Sequence, residues 1–289
     1  MKIMMTRWKW LAIALLAITV GACKPAVTTY SNGAKGHLFI IGGGNRSEAL
    51  MERFVSLAGG AQSKVVVVPF ASSVPEETGA AQADELSALG CEASYVFFEK
   101  GDADLEENLK KLDGVTGIFF SGGDQVRLAD VLLGTKFLDK IKDIYYQGGV
   151  VGGTSAGAAV MSKIMITGNE LVSGDTTLSF ASIKKGNVEV SEGFGLIDFA
   201  IIDQHFIQRK RENRLINLVI ENNLPGIGID EATAIIVGDG HSFEVFGDRT
   251  VMVFEPQLSQ PSRTDAKSNL SADHIKLSIL LSGDRYDLQ

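Results

Sequence analysis

From about residue 36 onward, short apolar runs alternate with amphipathic segments of helical length. His37-Leu38-Phe39-Ile40-Ile41 ends in Gly42-Gly43-Gly44, which predicts a buried strand running into a loop. Asn45 is placed to cap a helix reaching about Leu57, with Leu50, Phe54 and Leu57 at helical spacing. Val65 to Phe70 is continuously apolar, the pattern of a strand covered on both faces. Glu76 to Leu89 predicts a helix stopped by Gly90, Ser94 to Phe98 a third strand, and Asp104 to Leu112 a helix. Gly117-Ile118-Phe119-Phe120 predicts a fourth strand entering Ser121-Gly122-Gly123-Asp124-Gln125. Helical patterns over Val126–Leu133 and Phe137–Tyr146 lead to a fifth strand that ends at Ser155. Such alternation predicts an α/β fold with a mostly parallel sheet sandwiched by helices.

The second half is less regular. Asn169 to Val190 is polar and reads as a long excursion, of the kind that often forms binding loops or lids. Phe199 to Ile202 predicts a strand delivering Asp203-Gln204-His205-Phe206, followed by an Arg-rich helix over Gln208 to Asn222. Gly226–Asp230 and Thr233–Val237 read as strands around Glu231. Phe243–Phe246 and Val251–Phe254 read as a C-terminal hairpin about Gly247-Asp248, and Ile275–Leu281 as a last edge strand.

The beginning of the chain follows a different pattern. Lys2, Arg7 and Lys9 precede an apolar run from Leu11 to Val20, too short for a typical membrane span and of signal-peptide length. Val20-Gly21-Ala22-Cys23 then resembles a bacterial lipobox, in which the Cys becomes the lipidated first residue. The expected organisation is a leader over 1–23 ending at Cys23, a polar tether over 24–35, and one α/β domain over 36–289. The expected location is exported and membrane-anchored, in the periplasm or at the cell surface. Cys91 is the other Cys of the chain, so no internal disulfide is expected. A net charge of -8 argues against a general nucleic-acid binder.

Candidate chemistry gathers at the predicted strand ends. Gly153-Thr154-Ser155-Ala156-Gly157 is a Gly-x-Ser-x-Gly pattern between an apolar run and a helix-like run, the layout of a nucleophile elbow. Such a turn exposes Ser155 Oγ, and the N–H of Ala156 is then placed to stabilise an oxyanion. Gly122-Gly123 allows a second backbone N–H to approach, and Gln125 beside it is a candidate substrate contact. A serine nucleophile needs a base and an orienting acid. Of His37, His205, His241 and His274, His205 stands at the end of an apolar run within a polar cluster. For the acid, Asp230, Glu231, Asp203 and Asp124 compete, and spacing does not choose among them. Arg209, Arg211 and Arg214 form a local basic cluster suited to carboxylates. Gly42–Gly44 lacks the Lys-Ser/Thr of a phosphate loop, and no HExxH-like spacing implies a metal.

Four motifs, in this order, resemble cyanophycinase and the serine peptidase family that also holds aspartyl dipeptidase. They are Phe120-Ser121-Gly122-Gly123-Asp124-Gln125, Gly153-Thr154-Ser155-Ala156-Gly157-Ala158, Asp203-Gln204-His205-Phe206 with Arg209, Arg211 and Arg214, and Gly228-Ile229-Asp230-Glu231-Ala232-Thr233-Ala234. The resemblance implies a class I glutamine amidotransferase-like fold, with Ser155 as nucleophile, His205 as base and Glu231 as acid. It also implies substrate contacts from Gln125, Asp203, Gln204, Arg209, Arg211 and Arg214, while the expected oxyanion donors remain the N–H groups of Gly123 and Ala156. The implied substrate is cyanophycin, poly-aspartate carrying arginine on each β-carboxyl, cut to β-Asp-Arg dipeptides without a cofactor. A dipeptidase for Asp-containing peptides and a non-catalytic peptide-binding lipoprotein are the alternatives. The implied partners are a peptide or polymer substrate and, through the lipid, a membrane; a homodimer is also admitted. The export signal departs from the cytoplasmic enzymes of this kind that mobilise stored polymer.

Overall fold

The structure is a computed structural model and describes residues 33–172, 180–238 and 240–288. The leader, Cys23, residues 24–32 of the tether and residues 173–179 of the polar excursion lie outside the described residues. No helix among the described residues is long and apolar enough to cross a membrane.

The first half builds a parallel sheet. Its strands are β1 (His37–Ile41), β2 (Lys64–Val68), β3 (Glu92–Tyr95), β4 (Gly117–Phe120) and β5 (Val150–Thr154), in the spatial order β1-β5-β4-β2-β3. The helices between them are α1 (Glu48–Ala58), α2 (Pro75–Ala88), α3 (Glu106–Lys110), α4 (Gln125–Leu132) and α5 (Lys136–Gln147). The cap of α1 is Ser47, whose hydroxyl accepts from Leu50 N–H at 3.3 Å, two residues later than the Asn45 expected. A serine oxygen at this position satisfies one of the first free N–H groups of the helix.

Side chains alternate across the pleat, and both faces are buried. Phe39, Ile41, Val65, Val67 and Phe119 pack beneath α1 and α2 with Leu50 and Phe54. Leu38, Ile40, Val66, Val68, Ile118 and Phe120 pack the opposite core with Leu128, Phe137 and Ile141 of α4 and α5. This double coverage explains the unbroken apolar runs.

After β5 come a short helix, α6 (Ala156–Ala159), and a two-stranded ribbon, β6 (Ile164–Glu170) with β7 (Val188–Glu192). The expected excursion therefore begins and ends as paired strand. β8 (Ile201–Gln204), α7 (Glu212–Asn222), β9 (Gly226–Ile229), β10 (Thr233–Val237), β11 (Ser242–Gly247) and β12 (Val251–Pro256) follow. The tail adds β13 (Arg263–Thr264), β14 (Leu270–Ser271), β15 (Ile275–Leu280) and β16 (Arg285–Asp287).

The expected hairpin about Gly247-Asp248 does not form. β11 pairs with β10 and β16 in an eight-stranded sheet, whereas β12 pairs with β9 and β15 in a four-stranded one. On either side of β10 and β11 the chain crosses between these sheets, at Asp230–Ala232 and at Asp248–Thr250. The two crossings hold each other, with Asp230 N–H donating to Thr250 O at 3.2 Å and Asp248 N–H to Ala232 O at 2.9 Å. Gly247 and Asp248 are thus a switch between sheets rather than a hairpin turn.

The four-stranded sheet packs Ile202, Ile227, Ile229, Val251 and Val253 into the α4 and α5 side of the core. Its outer face carries α7 through Leu215, Leu218 and Val219. Tyr286 of β16 donates to Glu255 of β12 at 2.5 Å, joining the two sheets at the end of the chain.

Candidate active site

The carboxyl ends of β1, β4 and β5 are neighbours in the large sheet, and those of β8 and β9 are neighbours in the small one. Ligands of parallel α/β sheets bind beyond such ends. Ser155 and His205 directly follow β5 and β8, and Glu231 stands two residues after β9.

Ser155 turns the chain between β5 and α6 at φ 55, ψ -108. Close packing makes the small neighbours obligatory: a Cβ on Gly157 would lie 2.4 Å from Phe120 O. The helix that follows has four residues, so what it offers an anion is the first free N–H groups rather than a long dipole.

His205 lies at φ 48 and is buried. Its Nε2 is 2.9 Å from Ser155 Oγ, and its Nδ1 is 2.6 Å from Glu231 Oε1. A carboxylate on one imidazole nitrogen sets the tautomer so that the other can accept a proton. Of the two adjacent acids on the β9–β10 crossing, Glu231 faces the imidazole. Asp230 turns away, accepting from Gln208 N–H at 3.0 Å and meeting Arg249 Nη1 at 3.4 Å. Asp124 caps α4 by accepting from Val126 N–H at 2.8 Å. The sequence carries no signal for Arg249, since its link to Asp230 spans the two crossings.

Burial lowers the His205 pKa below the ordinary imidazole value. The Glu231 hydrogen bond opposes this, and the charges of Arg209 and Arg211 reinforce it. The ring is therefore neutral at pH 7.

Gly123 has φ 137, and a Cβ there would sit 2.0 Å from Ala71 O, so no other residue fits this turn. Gly122 lies against Ser155, where an added Cβ would be 3.5 Å from the Ser155 Cβ. The Gly122-Gly123 turn and the N–H of Ala156 thus border the serine from two sides.

The expected substrate contacts separate into distinct environments. Gln125 is buried, and its amide donates to Ile166 O at 2.6 Å and Thr167 O at 2.8 Å, tying α4 to the ribbon. Asp203 and Arg214 are fully buried and bond to each other, Arg214 Nε reaching Asp203 Oδ2 at 2.7 Å and Arg214 Nη2 reaching Oδ1. The Arg214 guanidinium also lies 5.6 Å from the Phe180 ring centroid. Asp203 is thereby occupied by an internal guanidinium. Arg211 Nη1 donates to Gln204 O at 2.7 Å, and burial together with Arg214 pushes its pKa down to about 10, still charged at pH 7. Gln204 Oε1 lies 3.5 Å from Ser155 Oγ. Arg209 is exposed. No group of three or more His, Cys, Asp or Glu among the described residues is placed to hold a metal ion.

Comparison with known proteins gives this arrangement a family. The pattern of peptidase family S51 matches residues 38–245. The chain belongs to peptidase family S51. It is accordingly a serine-type peptidase. This S51 peptidase is 32% identical over 272 residues to a cyanophycinase of Synechococcus elongatus, covering 91% of its own chain and 82% of that protein. It is also 32% identical over 265 residues to a cyanophycinase of Geminocystis herdmanii, covering 86% of itself and 93% of that protein. Its fold resembles a crystal structure of a peptidase from an acI-B1 Actinobacterium, with a TM-score of 0.65, 24% identity and coverage of 89% and 98%. The α/β sandwich is the class I glutamine amidotransferase-like fold expected from the sequence.

Proposed function

We propose that this S51 peptidase is an exported, lipid-anchored exopeptidase that cuts cyanophycin to β-Asp-Arg dipeptides. The observation that carries the hydrolase reading is the continuous line of hydrogen-bond distances from Ser155 Oγ through the His205 imidazole to Glu231, 2.9 Å and 2.6 Å long. In this reading Ser155 attacks the scissile carbonyl while His205 Nε2 takes its proton. Glu231 holds Nδ1–H and stabilises the imidazolium that forms. The N–H groups of Gly123 and Ala156 receive the oxyanion of the tetrahedral intermediate. The proton passes to the leaving amine, the acyl-enzyme remains, and water activated by His205 releases the acid. Exposed Arg209 meets a substrate carboxylate, while Gln204 sits beside the reacting oxygen. The buried Asp203–Arg214 pair shapes the wall behind them. Residues 1–23 would be the leader and Cys23 the lipidated anchor.

The test is purified protein incubated with insoluble cyanophycin and, separately, with Asp-X dipeptides, the products being identified by mass. Release of β-Asp-Arg supports the proposal. Cleavage of the dipeptides alone replaces it with an aspartyl dipeptidase, and no turnover with no Ser155 adduct from a serine reagent replaces it with a binding protein.

The lowered His205 pKa gives a second expectation. The neutral imidazole is the active form, so kcat/KM falls as pH drops through that pKa. The acid limb should lie below the ordinary imidazole value of about 6.5. A pH profile with its limb above that value would contradict a buried base flanked by arginines.

A further inference from the structure

Three glycine-rich strand ends meet at the site, and the reaction above uses those after β4 and β5. The third, Gly42-Gly43-Gly44, follows β1, which lies directly beside β5. Three successive carbonyl oxygens of this turn each accept a backbone N–H from a different arm of the site. Ile41 O accepts from Ser155 at 3.1 Å, Gly42 O from His205 at 2.6 Å, and Gly43 O from Ala232, next to Glu231, at 2.8 Å. Those three donors share one uncommon backbone state, with φ of 55 at Ser155, 48 at His205 and 52 at Ala232. Non-glycine residues at positive φ are costly and persist where the surroundings over-determine them. The turn supplies that constraint to all three.

The side chains this turn lacks matter equally. A Cβ on Gly43 would lie 2.4 Å from both Cε1 and Nε2 of His205, far too close to the part of the ring that meets Ser155. A Cβ on Gly44 would lie 2.6 Å from the Glu231 Cβ, and one on Gly42 2.2 Å from Asp230 O. We infer that the Ile41–Gly44 turn is the positioning element of the site. Its carbonyls set the register of the nucleophile, base and acid segments, and its bare backbone is the bed on which the imidazole lies. A phosphate loop would offer N–H groups to a ligand; here the Gly42 N–H is bonded to Thr233 O at 2.9 Å. The inference rests on Ser155, His205 and Glu231 being the catalytic set.

The test compares Gly43→Ala with Gly101→Ala in the full-length chain. Gly101 has φ 101 against 99 for Gly43, but an added Cβ there meets nothing within 4 Å. The control therefore carries the same backbone strain without touching the ring. Gly43→Ala should lower kcat and the rate of fluorophosphonate labelling at Ser155 by about 100-fold, the scale of a misplacement near 1 Å, with KM nearly unchanged. The downfield proton resonance of the His205–Glu231 hydrogen bond should move or vanish in Gly43→Ala and persist in Gly101→Ala. Gly43→Ala matching Gly101→Ala in labelling and resonance would overturn the inference while leaving the catalytic set intact. Full turnover in Ser155→Ala would instead remove the catalytic set itself.

If Gly43→Ala does not fold, Gly44→Ala decides. Its Cβ would lie 2.6 Å from the Glu231 Cβ and 3.0 Å from Oε2, pressing that side chain away from the imidazole. Withdrawing Glu231 leaves burial, Arg209 and Arg211 facing the imidazole, all of which lower its pKa. The acid limb of the pH profile should then move to lower pH, and an unmoved limb would overturn the inference.

Discussion

Ser155→Ala should abolish peptide hydrolysis, lowering kcat by roughly 10⁴- to 10⁶-fold, as expected when the nucleophile of a triad is removed. The same variant should fold as the parent does. Ser155 occupies a positive φ, and alanine meets that backbone with the same Cβ, so the conformational cost is unchanged. What is lost is the hydroxyl, with its contacts to His205 at 2.9 Å and Gln204 at 3.5 Å. The measurement is turnover beside a thermal unfolding curve. Activity within tenfold of the parent would mean that chemistry proceeds elsewhere. A collapse of the unfolding midpoint would mean that the hydroxyl is structural.

Asp203→Ala should produce the largest change in stability. Asp203 and Arg214 are buried together, their side chains 0% and 3% exposed. Removing one partner strands a guanidinium away from water, at a cost of about 3–5 kcal/mol. For a domain of this size that corresponds to a fall of roughly 10 °C in the unfolding midpoint. The double variant Asp203→Leu, Arg214→Met should recover much of the loss, because it removes both charges and refills the space. The neighbouring Arg211, 3.9 Å from Asp203, makes full recovery unexpected. A single variant as stable as the parent would show that water reaches the pair. The pair also joins β8, which leads into His205, to α7 behind it, so kcat should fall alongside stability.

The parts legible in the sequence are those fixed by local steric rules. The elbow announces itself because only small residues pack around Ser155, and the parallel strands announce themselves because both faces are buried. Position at a strand end singles out His205 among four histidines. The choice between Asp230 and Glu231 is of a different kind, since adjacent residues differ only in direction and the deciding contact is 26 residues away. Partnering of β11 and β12 is likewise a long-range outcome, and their spacing resembles a hairpin because both crossings are short. The strands β13 and β14 are two residues long, below the length at which alternation can register. The Asp203–Arg214 pair is hidden because charged residues near a loop read as solvated. The resemblance to a known family contributed what spacing did not, naming Glu231 as the acid.

The strands after β14 carry a consequence for aggregation. β15 completes one border of the small sheet and β16 one border of the large one, and Tyr286 fastens them through Glu255. Without the segment from Ile275 to Asp287, one side of each sheet therefore stays open. A product truncated before Ile275 would leave β11 and β12 without these partners, each a ready template for aggregation.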